Sequence, residues 1–153
     1  VGTALQASGR PFAKLADTIP NLVWMANADG FIFWYNRRLY EFTGKTPAQM
    51  EGWGWQSVPD QHELPVVMER WQRSIQTAEP FEMEFPLLGS DGVFKLSLTW
   101  VTPVLGPEGK VCRWFGTNTD VTEIRLAREN LRESEGNIRA LNQHRAWFCS
   151  ERK

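Results

Sequence analysis

The chain has 153 residues, with 17 Lys and Arg against 18 Asp and Glu and a formal net charge of -1. This length suits one ordinary domain with an extension, and the balanced charge gives no electrostatic ground for binding nucleic acid. Apolar runs are short and interrupted, so no membrane span, secretory signal or direct membrane contact is expected here; the two cysteines, Cys112 and Cys149, make no disulfide framework and fit a reducing cytoplasm.

Phe12, Leu15, Ala16 and Ile19 stand at helical spacing, and Pro20 ends that helix because proline cannot continue the hydrogen-bond ladder. Leu22–Ala26 and Phe31–Tyr35 flank the turn-rich Asn27-Ala28-Asp29-Gly30 and read as a hairpin. From 37 to 57, Gly44, Pro47, Gly52 and Gly54 break any helix into short pieces, and a longer helix is predicted over about 61–78.

Phe81, Met83, Phe85 and Leu87 alternate with Glu82, Glu84, Pro86 and Leu88, the period of a half-buried strand. Val93–Leu105 and Lys110–Thr119 follow after Gly-rich turns, which predicts a five-stranded antiparallel meander with helices on one face. The last strand runs into a helix without a loop. Asp120 is expected to cap that helix, with Glu123 completing a capping box across Thr122.

Helical signal then continues to about Phe148. Ile124, Leu131 and Ile138 recur every seven residues, with Ala127, Ser134, Leu141 and Phe148 on a second seam. This pattern suits a parallel two-helix coil, although Ser134 and Gly136 leave the seam imperfect; the alternative is one amphipathic helix folded onto its own sheet.

The eight tryptophans need extensive packing surface, in a Trp-rich core or an aromatic ligand cage. His62-Glu63-Leu64-Pro65 is superficially like a phosphoacceptor box but lacks its Arg, its later Pro and any Gly-rich nucleotide site, so His62 is expected at the surface or a helix start. His144 is expected on the solvated side of the last helix. No catalytic triad, paired metal ligands, phosphate-binding loop or paired catalytic carboxylates occur at workable spacing, and no catalytic or metal site is assigned.

The ordered series formed by Phe12 to Pro20, Asn21 to Gly30, Phe31 to Asn36, Tyr40 to Met50, Trp71 to Glu79, Phe81 to Gly92 and Gly116-Thr117-Asn118-Thr119-Asp120-Val121-Thr122 resembles a PAS domain of the bacterial sensory-box type, over roughly residues 11–123. The resemblance implies an α+β fold: an N-terminal cap helix over 1–20, a PAS core over 21–120 and a C-terminal signalling helix and linker over 121–153. It also implies which side chains face a central pocket: Phe81, Met83, Phe85 and Leu87, then Ser97, Thr99 and Val101, then Cys112, Trp114, Gly116 and Asn118. Such a lining suits a modest organic ligand held by one or two hydrogen bonds, or a filled core whose hydroxyls bond to backbone, the latter being favoured.

Heme is disfavoured because the family's axial-ligand position falls at about Val67, which cannot coordinate iron. Flavin is disfavoured because residues 51–56 contain no cysteine, and Leu87 and Ser97 stand where flavin-binding relatives have asparagines; no cofactor is expected. Leu96, Leu98, Trp100 and Phe115 would expose apolar area on the opposite sheet face, so a homodimer is expected in which Phe12, Leu15, Ile19 and a partner protomer cover it. Asp120, Thr122 and Glu123 form the expected signal junction, with output through Ile124, Leu131 and Ile138. Residues 131–141 resemble the linker before a further PAS domain or a kinase helix. The implied role is therefore a non-enzymatic sensory module of a signal-transduction protein, a histidine kinase first, with a ligand-free dimerisation module of a diguanylate cyclase or phosphodiesterase as the alternative.

Overall fold

The structure, a computed structural model, describes residues 14–150, with side chains described through residue 140. The chain divides into one unit ending at Asp120 and a second beginning at Val121. In the first, the helix α1 covers 14–18 among the described residues and is followed by strands β1 (Leu22–Asn27) and β2 (Ile32–Tyr35). The hairpin turn is closed by the Asn27 N–H to the Phe31 carbonyl at 2.8 Å and by Gly30 N–H to Asn27 at 2.9 Å.

Three helices and a tight turn then cross the sheet. In α2 (Arg37–Thr43), the Asn36 side chain caps the start and left-handed Gly44 closes the end through its N–H to Tyr40. In α3 (Pro47–Met50), Thr46 and Gln49 form a reciprocal capping box. A 3-10 turn (Gly54–Ser57) leads to α4 (Leu64–Thr77), which buries Val67, Trp71 and Ser74, one helical face at spacings of four and three.

Strands β3 (Phe81–Leu88), β4 (Phe94–Leu105) and β5 (Val111–Asp120) complete the sheet. Its order is β2-β1-β5-β4-β3, every neighbouring pair antiparallel. The expected meander is corrected here: β3, β4 and β5 follow one another, but β5 pairs with β1, so the first hairpin is carried to the far side of β5 and β2 and β3 become the edges. The helical crossing between β2 and β3 makes this possible, since it carries the chain from one edge to the other.

Segment 52–60 is tied to both of those edges. Gly52 exchanges backbone hydrogen bonds with Ile32 of β2 (2.8 and 3.4 Å), while Asp60 N–H donates to Pro86 (3.0 Å) and Leu88 N–H donates to Val58 (2.8 Å) at β3. It therefore lies across the sheet as a fixed cover, and the core fills the space beneath it. The largest fully buried side chains are Trp114, Met50, Val23, Val101 and Asn36.

In the second unit, α5 (Thr122–Ser150) starts one residue later than expected. The first helical bond runs from Arg125 N–H to the Val121 carbonyl at 2.9 Å, so Val121 holds the capping position and Asp120 is the last residue of β5, paired with Ser97. The expected helix start directly after Asp120 is therefore corrected by one residue, because the strand ladder extends through Asp120. Ile124, Leu131 and Ile138 are exposed on α5. Phe12 and the side chains of Leu141, His144, Phe148 and Cys149 lie outside the described residues. Among the described residues, no helix is long and apolar enough to cross a membrane.

Candidate functional site: a cavity beneath the crossing segment

Between the inner sheet face and the crossing segment lies an apolar cavity of about 60 Å³. Phe81, Phe85, Leu87, Thr99 and Asn118 line it from the sheet, and Met50, Trp55, Val58, Val67 and Trp71 from the helices and the cover. Burial of Val67 and Trp71 one turn apart on α4 explains why that helix presents them here.

A hydrogen-bonded chain crosses the wall. The Trp24 indole N–H donates to Asn118 Oδ1 at 3.0 Å, and Asn118 Nδ2 donates to Thr99 Oγ1 at 2.6 Å, linking β1, β5 and β4 through buried side chains. Trp24 is seated by Gly116, its register partner on β5, where a Cβ would overlap the indole Cε2 and Cζ2. Trp71 meets Trp24 edge-on at 5.8 Å between ring centroids and Trp114 at 5.1 Å, so the tryptophans serve as core and cavity wall together.

The other hydroxyls on the wall are also engaged. Tyr35 OH donates to the Met50 carbonyl at 2.8 Å and Thr43 Oγ1 to the Leu39 carbonyl at 2.9 Å. Burial first, and the neighbouring Tyr40 second, push the Tyr35 phenol well above its ordinary range. Trp55 differs from these, since its indole Nε1 is sealed from solvent and has no hydrogen-bond partner.

A second, more open cleft of about 370 Å³ adjoins the cavity, sharing Leu22, Leu87 and Asn118 with it. Ser97, Leu96, Arg38, Lys95, Glu41 and Asp120 contribute to its lining. Glu41 is paired with Arg37 at 3.0 Å, an exposed bridge of small energetic weight.

The expected pocket residues thus separate into groups. Phe81, Phe85, Leu87, Thr99 and Asn118 line the inner cavity; Ser97 lines the outer cleft instead. Val101 and Trp114 are fully buried core residues, Trp114 donating to the Ala28 carbonyl at 3.2 Å, and Met83 packs against the same cluster. Cys112 is corrected: it is exposed, its thiol 3.2 Å from the Val104 carbonyl. The β4–β5 register shifts between Val104 and Leu105, so Cys112 falls at an irregularity near the strand end and alternation no longer carries it inward.

On the opposite face Trp100 is 59% exposed, while Leu96, Leu98 and Phe115 are half-buried. Leu15 and Ile19 are exposed on the N-terminal side. His62 is exposed, its N–H bonded to Asp60 Oδ1 at 2.9 Å. Among the described residues, no group of three or more His, Cys, Asp or Glu could hold a metal ion.

Sequence reasoning missed Trp24, Tyr35, Asn36 and Trp55. Asn36 carried a readable signal, a capping residue before an apolar helix; the tryptophans carried composition alone. Asn36 is wholly buried, its amide donating to the Ala16 and Asn21 carbonyls at 3.0 Å each and its oxygen accepting from Val23 N–H at 3.1 Å and Leu39 N–H at 3.2 Å.

The sheet order and the crossing helices define an α+β fold built around the inner cavity. Residues 16–126 match the family described as PAS fold, and the chain belongs to that family. It is similar to the uncharacterised protein y4lL of Sinorhizobium fredii, with 31% identity over 138 residues, covering 90% of this chain and 17% of that protein. The peroxide stress-activated histidine kinase mak1 of Schizosaccharomyces pombe is 28% identical over 144 residues, covering 92% of this chain and 9% of the kinase. The probable diguanylate cyclase DgcE of Escherichia coli is 29% identical over 114 residues, covering 71% of this chain and 10% of the cyclase. The chain thus spans less than a fifth of each relative's length. Among solved structures, a PAS domain from Colwellia psychrerythraea superposes with a TM-score of 0.62 at 17% identity, covering 76% of this chain and 98% of that one. The chain is a PAS sensory module, a regulatory unit.

Proposed function

We propose that this module is a cytoplasmic part of a sensor histidine kinase, whose membrane anchoring elsewhere is left open, and that it senses a small molecule in the inner cavity and relays its presence through α5. The observation that carries this reading is the place of Asn118. It joins the cavity wall to Trp24 and Thr99 and stands two residues before the end of β5. A ligand that exchanges contacts with Asn118 therefore acts on the strand that runs into α5, provided two states differ in that contact.

Pairing of two copies completes the relay. Ile124, Leu131 and Ile138 are exposed at seven-residue intervals, which suits a parallel two-helix coil, and Leu15, Ile19, Trp100 and the neighbouring apolar face suit a homodimer contact. Neither heme nor flavin is assigned as cofactor, since Val67 occupies the wall where an iron ligand would be needed, and Leu87 and Ser97 offer no amide. Similarity to mak1 supports a kinase as the downstream partner in the same polypeptide.

A second reading, a ligand-free dimerisation module of a diguanylate cyclase or phosphodiesterase, is favoured by the small cavity of about 60 Å³ and by similarity to DgcE. Native mass spectrometry of the purified chain, with its absorbance spectrum, separates the two. A dimer carrying extra mass that is lost in Asn118→Leu is the expected result. A colourless dimer without extra mass selects the second reading, and a monomer overturns the coil.

A further inference from the structure

We propose that the outer cleft binds a small organic anion, a carboxylate on a compact apolar body, held between Arg38 of α2 and Lys95 of β4 and hydrogen-bonded by the Ser97 hydroxyl. This site is separate from the inner cavity and does not depend on that cavity being occupied.

The two walls of the cleft follow from local structure. On α2, Arg38, Glu41 and Phe42 stand at i, i+3 and i+4, one face of the helix, and all three line the cleft. On β4, Lys95 and Ser97 are two residues apart and so share a sheet face, opposite Leu87 of β3 and Asp120 of β5 in the register. The space between these walls, about 370 Å³, lies within the range of roughly 300–1,000 Å³ in which small-molecule sites fall.

Ser97 is the buried polar group of this wall. It is 4% exposed, and among the described residues its hydroxyl has no hydrogen-bond partner, in contrast to the engaged hydroxyls of Tyr35 and Thr43. It is not sealed either, because Trp55 Nε1 is the one side-chain polar atom among the described residues that is both sealed and unpartnered. The Ser97 hydroxyl therefore keeps a path to the cleft that its residue lines. A buried hydroxyl left unpaired in this way calls for an acceptor.

The charges on the wall choose the sign of the ligand. Glu41 is already bridged to Arg37, and Asp120 is engaged as well. Among the described residues, Arg38 and Lys95 are in no ion pair. An incoming carboxylate gains charge-assisted hydrogen bonds from both, whereas a cation would have to compete for acids that have partners. Leu22, Phe42, Leu87 and Leu96 supply an apolar remainder, which a bare inorganic anion would leave unfilled.

The test uses phenylacetate and its uncharged counterpart phenylacetamide, titrated into the intact chain and followed by nitrogen-edited NMR. Phenylacetate is expected to shift the Lys95 and Ser97 backbone amides saturably, and phenylacetamide to bind at least about ten-fold more weakly. Arg38→Gln and Ser97→Ala should each weaken phenylacetate about ten-fold, while Arg73→Gln, which removes an exposed charge on α4 outside the cleft, should leave its affinity unchanged. Equal affinity for acid and amide overturns the anion assignment. A response that does not saturate, or that survives Arg38→Gln unchanged, overturns the site. Shifts confined to the Trp24 and Trp71 indoles would place the probe in the inner cavity and likewise overturn it. Should Ser97→Ala fail to fold, the exposed Arg38→Gln decides by itself.

Discussion

Gly116→Ala offers the sharpest test of how the cavity wall is built. The added Cβ would overlap Cε2 and Cζ2 of the Trp24 indole and fall 2.6 Å from Cη2, an approach the ring can relieve only by moving. That ring is packed edge-on against Trp71 and holds its N–H on Asn118 at 3.0 Å, so displacement strains the core and strands a buried donor. Overpacking of this kind costs about 1–3 kcal/mol, and the lost bond adds about 1–3 kcal/mol. Replacing glycine within a strand returns only about 0.5–1 kcal/mol of backbone entropy. The expected net loss is about 1–5 kcal/mol, read from urea midpoints at constant m by far-UV circular dichroism. A Gly116→Ala protein as stable as its parent would refute the reasoning. So would strict additivity with Trp24→Leu, because the smaller side chain should relieve the clash and give a coupling of about 1 kcal/mol or more.

Two further outcomes are expected. Asn36→Ala should destabilise by about 2–4 kcal/mol, since it removes partners from the Ala16 and Asn21 carbonyls and the Val23 and Leu39 amides together; a loss below about 1 kcal/mol in chemical denaturation would show those groups are readily rehydrated. Tyr35 is held protonated in the fold while the unfolded phenol ionises at about pH 10. The folded state therefore binds the proton longer, so its stabilising effect is complete below pH about 10 and declines as pH rises beyond it. Tyr35→Phe should have a shallower alkaline decline in Tm than the parent, and parallel declines would contradict the assignment.

Local pattern carried much of the architecture. The alternation of Phe81, Met83, Phe85 and Leu87 located β3 to the residue, because a half-buried strand must repeat every two residues wherever it lies in the sheet. The glycines and Pro47 likewise marked the short helices through backbone restrictions that act within a few residues. Asn118 was legible as the inward reporter on β5, and Val67 as a position on the cavity side of α4, because both follow from strand or helix phase once the family resemblance is drawn.

Other features depend on residues far apart in the chain. Cys112 lost its inward phase to a register shift against β4, and Asp120 is drawn into the ladder opposite Ser97, so that α5 starts only after Val121. Both outcomes are decided by cross-strand pairing, which local periodicity does not record. The cavity itself arises because segment 52–60 is tied at Gly52 to one sheet edge and at Val58 and Asp60 to the other, with Trp55 held between. The sequence by itself thus determined which residues could form strands, helices and turns, since those preferences act over a few bonds. Only tertiary structure decided which edges that segment would join, and so where the inner cavity would form.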